Sequence, residues 1–152
     1  MSGLRELYQE VIIDHSKSPR NFGILPDANH RQEGFNPLCG DKLTLTILEQ
    51  NGIIEKIRFE GCGCAISVAS ASLMTEAIQG KTRLELDEIF NHFHELVTKG
   101  HDAVLENKLG KLAVLAGVSE YPVRVKCATL AWHTMKAAIA DDQVPVSTEE
   151  TL

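Results

Sequence analysis

Four cysteines, Cys39, Cys62, Cys64 and Cys127, are the residues of this chain whose type and placement could do chemistry. They sit in three short segments, Cys39-Gly40-Asp41, Gly61-Cys62-Gly63-Cys64 and Lys126-Cys127. Each segment is expected at an element boundary, where strand ends and helix starts can gather at one edge of a sheet. A tetrahedral zinc takes four N, O or S donors at about 2.0–2.3 Å. Three cysteines leave one position open, and Asp41 is the natural fourth, because a two-residue offset lets its carboxylate reach a metal already held by Cys39. A carboxylate is a hard ligand among soft thiolates and should be the easiest to displace. Such a site would exchange ligands rather than only brace the fold.

Local electrostatics bear on the same residues. Cys64 and Cys127 are expected at helix starts, where free amides and the positive end of the helix dipole stabilise a thiolate. Arg124 and Lys126 add positive charge beside Cys127. Both features favour metal ligation or attack on a sulfane sulfur. Gly61 and Gly63 lack a Cβ, which permits close backbone approach to a metal or to a partner's thiol. The spacing is not a paired CxxC motif, so buried, inert cysteines are the competing reading.

The elements that must position these residues follow from periodicity. Leu4, Leu7, Tyr8, Val11 and Ile12 form one stripe of a helix over 3–16. A proline- and glycine-punctuated stretch over 19–37 predicts a long ordered loop or short edge strand. Alternating Leu43, Leu45 and Ile47, the Asn51-Gly52 turn, and Ile53, Ile57 and Phe59 predict a hairpin. Apolar spacing predicts helices over 65–79 and 86–98 and one or two short helical pieces over 103–117. Pro122 is expected to halt the chain before a C-terminal helix that opens at Cys127 and buries Leu130, Met135, Ala138 and Ile139. The expected class is α+β, a small antiparallel sheet of a hairpin plus an edge strand, with helices on one face. Residues 1–141 are expected to form one domain, and the acidic stretch 142–152 to lack order.

Composition sets limits. At 152 residues, 43% apolar, the chain can bury a core of its own. The net charge of −6 argues against nucleic acid as a partner. No apolar run is long enough to span a membrane, and the N-terminal stretch has no secretory h-region, so a cytoplasmic, soluble protein is expected. In a reducing compartment, metal binding or sulfur chemistry is the expected use of cysteines, rather than disulfides.

The stretches LYQEVIIDHSKSPRNFG, NPLCGDKLTL, IRFEGCGCAISVASASLMTEAIQGK and VRVKCATLAW resemble, in that order, the iron-sulfur assembly family that includes IscU, SufU and the N-terminal part of NifU. Together they cover most of residues 4–140. The SufU branch is the better match. Cys64 and Cys127 stand 63 positions apart, longer than in IscU-type proteins, with the extra residues around 84–110, and Lys126 stands where those proteins carry histidine. The resemblance implies a SufU/IscU-like fold and a zinc held by Cys39, Asp41, Cys64 and Cys127. It implies a sulfurtransferase-like acceptor that takes persulfide sulfur from a SufS-type cysteine desulfurase and passes it to downstream iron-sulfur assembly proteins. The desulfurase would supply a ligand that displaces Asp41 or Cys39, with Cys39 the acceptor.

Two features depart from that pattern. SufU-type proteins carry the second ligand cysteine at the position of Cys64 and IscU-type proteins at that of Cys62, whereas this chain has both. Cys62 is thus a spare thiol, a relay or an alternative ligand that would favour a cluster. The segment that IscU presents to its chaperone aligns only in part with Glu120–Arg124, so chaperone binding is not expected. Three functions stay open: a zinc-dependent sulfur carrier, a scaffold on which a [2Fe-2S] cluster is built and transferred, and a zinc-stapled interaction domain. The histidines carry less. His92 and His94 fall on different helix faces, His15 suits a helix-end hydrogen bond, and His133 suits surface or packing. Tyr8 and Arg20 are candidate contacts for a desulfurase.

Overall fold

The computed structural model describes residues 2–142 and 144–148, with side chains from Glu6 onward. In chain order the elements are helix α1 (Ser2–Lys17), strands β1 (His30–Asn36), β2 (Asp41–Gln50) and β3 (Ile53–Cys62), and helices α2 (Ala65–Ile78), α3 (Arg83–Lys99) and α4 (Ala103–Leu109). A 3-10 run over Gly110–Glu120, helix α5 (Pro122–Ile139) and the two-residue strand β4 (Val146–Ser147) complete them. The class is α+β, as expected.

The sheet runs in the order β3-β2-β1-β4. Asn51 and Gly52 both take positive φ, 55° and 76°, the primed turn whose twist suits a hairpin. Past it the pairing shifts between Leu48 and Glu49, which leaves Glu55 as an extra residue on β3. That bulge turns Ile54 and Ile57 inward together and leaves Ile53 exposed, where simple alternation had Ile53 inside.

The sheet differs from the expected antiparallel one at its other side. β1 pairs antiparallel with β2, while β4 pairs parallel with β1 at Gly34↔Val146 and Phe35↔Ser147, so the sheet is mixed and β1 is not its edge. The stretch expected to lack order thus holds an element within 144–148. Gln32 Nε2 donates to the Asp142 carbonyl (2.9 Å), and the Thr148 amide donates to the Phe35 carbonyl (3.2 Å). Residues 143 and 149–152 lie outside the described residues.

The core lies between the sheet and its helices. Leu45, Ile47, Ile57 and Phe59 meet Leu73, Met74 and Ile78 of α2, with Phe93 of α3 stacked on Trp132 of α5 at 4.2 Å between centroids. The small-residue run in α2 serves helix–helix approach: Ser70 Oγ donates to the Ala128 carbonyl (2.6 Å) and accepts from Trp132 Nε1 (3.1 Å). Gly34 gives α5 similar room on β1, since a Cβ there would stand 2.1 Å from Thr134 Oγ1. α1 docks through Tyr8, Val11 and Ile12, with Leu7 facing solvent, and His15 Nδ1 lies 2.7 Å from Ser72 Oγ of α2. Leu4 lies outside the described side chains. α3 starts earlier than its apolar stripe, at a Thr82–Glu85 capping box. Among the described residues no helix is long and apolar enough to cross a membrane.

Candidate metal centre

The ends of β1, β2 and β3 and two helices meet at one edge of the sheet. Asn36 and Asp41 form the last register pair of β1 and β2, and residues 37–40 turn between them. The Cys39 and Gly40 amides donate to the Asn36 carbonyl (3.3 and 2.8 Å), with Gly40 at φ 71°, a conformation glycine adopts without strain. This turn lifts Cys39 to the surface while Asp41 enters the sheet fully buried.

On the far side of the hairpin the chain leaves β3 through Gly63. A Cβ there would stand 2.3 Å from Asp41 Oδ1, so only glycine leaves room for the carboxylate. Cys64 then caps α2: its thiol accepts from the Ser67 amide (3.4 Å), and its own amide donates to Asp41 Oδ1 (2.9 Å).

Cys127 does not open its helix. Pro122 is the first residue of α5, a position where its missing N–H costs nothing, so Cys127 lies in the second turn, 2% exposed. Its thiol donates to Cys39 Sγ (3.5 Å) and accepts from Asn36 Nδ2 (3.5 Å). The expected dipole effect therefore applies to Cys64 alone. The Cys64 thiol is held at about 6, first by its hydrogen bond with Cys127 and then, against burial, by the Ser67 and Ile66 amides. Cys127 moves the opposite way: its hydrogen bond with Cys64, burial and its bond with Cys39 push the thiol up.

One donor atom each from Cys39, Asp41 and Cys127 lies within 4.8 Å of the others. Cys64 Sγ stands 4.0 Å from Asp41 Oδ2, beside that trio. Sulfurs on a tetrahedral zinc with bonds of about 2.3 Å lie about 3.8 Å apart, close to the 3.5 Å between Cys39 and Cys127. Three thiols and one carboxylate suit zinc, and they also suit an iron-sulfur cluster. The donor set and its spacing thus fit a bound metal.

The remaining candidates fall elsewhere. Cys62 ends β3 opposite Lys42, exposed, and is not part of the trio. Arg124 lies over the Tyr121 ring (4.7 Å) at the surface, and Lys126 is half-buried beside Cys127 in the chain. Arg20 pairs with Asp14 (2.6 Å), and Tyr8 donates to Glu106 (3.3 Å). His94 and His133 pack around Phe90, away from the thiols. Asn36 was not among the sequence candidates, since an asparagine before proline reads as a turn residue. Its signal was its place three residues before Cys39.

A family model described as NifU-like N terminal domain matches residues 7–128. The zinc-dependent sulfurtransferase SufU of Bacillus subtilis is 42% identical, with 93% of this chain and 95% of that protein covered. The iron-sulfur cluster assembly scaffold protein IscU of Streptococcus pyogenes is also 42% identical, over 91% of this chain and 86% of that one. The crystal structure of a candidate iron-sulfur cluster assembly scaffold protein for the SUF system from Fervidobacterium islandicum superposes with a TM-score of 0.80 at 38% identity, over 89% of this chain and 98% of its own. By matched length, identity and fold, the chain belongs to the NifU-like N-terminal domain family, alongside SufU- and IscU-type proteins.

Proposed function

We propose that this chain serves iron-sulfur cluster assembly as a zinc-dependent sulfur carrier, taking persulfide sulfur from a cysteine desulfurase and handing it to the downstream assembly machinery. The observation that carries the reading is an asymmetry of the site. Cys39 is exposed on a turn, whereas Asp41 and Cys127, within 4.8 Å of it, are buried. Such an arrangement suits a metal gripped from inside the fold and one thiol offered to a partner.

Cys39, Asp41, Cys64 and Cys127 would hold the metal. Bound zinc would supply positive charge that keeps the cysteines as thiolates at neutral pH. Cys39 then acts as the acceptor. Its thiolate sulfur attacks the outer sulfur of a persulfide presented by the desulfurase. A new S–S bond forms on Cys39, the desulfurase S–S bond breaks, and its cysteine leaves as a thiolate, with no net oxidation. The Cys64 amide and Asn36 orient the Asp41 carboxylate beside Cys39.

The experiment is mass spectrometry of the Cys39 peptide after incubation with a SufS-type desulfurase and cysteine. Gain of one sulfur atom on Cys39, lost in Cys39→Ser, is expected. Sulfur appearing only on Cys62, or on no cysteine, would overturn the acceptor role.

A further inference from the structure

Asn36 is fully buried, and its side-chain amide is saturated. Nδ2 has two hydrogens and two recipients, Asp41 Oδ2 (3.3 Å) and Cys127 Sγ (3.5 Å). Oδ1 has two lone pairs and two donors, the Leu38 amide (3.3 Å) and Thr148 Oγ1 (2.9 Å). The Leu38 N–H can only donate, so it orients the amide with oxygen away from the site and nitrogen toward it. Thr148, also fully buried, belongs to the segment held on β1 by the β4 pairing and by its own amide bond to Phe35.

We infer that Asn36 is a positioning residue for the metal centre, and that Thr148 clamps its amide, so that the C-terminal segment is a working part of the site. The inference rests on the metal reading proposed above. Outer hydrogen bonds orient metal ligands and tune their donor strength, and their loss typically costs about 10- to 100-fold in affinity. Asn36 does both at once: it aims the Asp41 carboxylate and draws electron density from the Cys127 sulfur. Anything that lifts residues 146–148 off β1 would loosen both contacts without touching a ligand.

Zinc affinity of the full chain, measured by competition with a chromophoric chelator, tests this in wild type, Asn36→Ala, Thr148→Val and Thr148→Ser. Thr148→Val keeps the shape and removes only the hydroxyl, and it carries the test should Asn36→Ala fail to fold. The expected result is an affinity lower by about 10- to 100-fold for Asn36→Ala, a smaller loss for Thr148→Val, and recovery in Thr148→Ser. Cobalt(II) in place of zinc gives a second readout: the sulfur-to-metal charge-transfer band should move to longer wavelength in Asn36→Ala, because a thiolate without its hydrogen bond gives up electrons more readily. Affinities within twofold of wild type and an unmoved band would overturn the inference while leaving the metal reading intact. A wild type that binds neither zinc nor cobalt would overturn both.

Discussion

At the residue scale, the site depends on side chains whose roles differ sharply. Cys64→Ser, whose thiol stands 4.0 Å from Asp41 Oδ2, and Cys127→Ser should abolish zinc retention through gel filtration, whereas Cys62→Ser, at an exposed position at the end of β3, should keep it. Equal loss in Cys62→Ser would contradict the ligand assignment. Gly63→Ala should also lose zinc and cost about 1–3 kcal/mol in denaturant unfolding, because its methyl group would collide with Asp41 Oδ1. Residue type pointed to Cys39, Asp41, Cys64 and Cys127 in the sequence, and the fold brings donors of Cys39, Asp41 and Cys127 within 4.8 Å of one another, with Cys64 beside Asp41. Asn36 was not legible, because its value comes from Thr148, more than a hundred positions away, and no local pattern records such a contact. The place of Cys64 at a helix cap was legible, though the Cys127 contact that lowers its thiol most was not. The raised thiol at Cys127 was not, because its causes, Cys64, burial and Cys39, are brought to it only by the fold, and Pro122 reads equally as the end of one segment and the first residue of a helix.

At the element scale, one joint ties α2 to α5 and another ties α3 to the far end of the sheet. Ser70 bridges α2 to α5 by serving both the Ala128 carbonyl and Trp132 Nε1. Ser70→Ala should cost about 1–3 kcal/mol in chemical denaturation, since buried Trp132 Nε1 loses its acceptor and the Ala128 carbonyl its second donor. The second joint is Glu49 of β2, which accepts from Arg83 of α3 (2.7 Å to each oxygen) and faces His30 of β1 (2.9 Å). The Arg83 hydrogen bonds, aided by His30, hold its carboxyl at about 2 despite burial. A carboxyl depressed in the folded state stabilises above its unfolded value of about 4.3 and loses that contribution as pH falls. Glu49→Gln should therefore melt lower than wild type at neutral pH, with the gap closing from about pH 4.3 toward about 2. The hairpin and helices were legible because their periods and the Asn-Gly turn are local signals. The parallel β4 pairing was not, as its partner strand lies far back in the chain, and the Glu55 bulge was not, because the run through Ile53, Ile57 and Phe59 has no glycine or proline to mark it.

At the scale of the whole molecule, a core that runs from β2 and β3 through α2, α3 and α5 forms without the metal site as its centre. Removing the metal should thus lower the melting temperature while leaving the far-ultraviolet circular dichroism that reports the helices. Collapse of that signal on chelation would favour a zinc-stapled interaction domain instead. The central claim, a zinc-holding sulfur carrier, is tested most directly by the metal and acid-labile sulfide content of protein purified without oxygen, together with its effect on a SufS-type desulfurase. The account predicts about one zinc per chain, no sulfide and strong stimulation of the desulfurase; iron and sulfide in near-equal amounts, with no stimulation, would contradict it and make the chain a cluster scaffold.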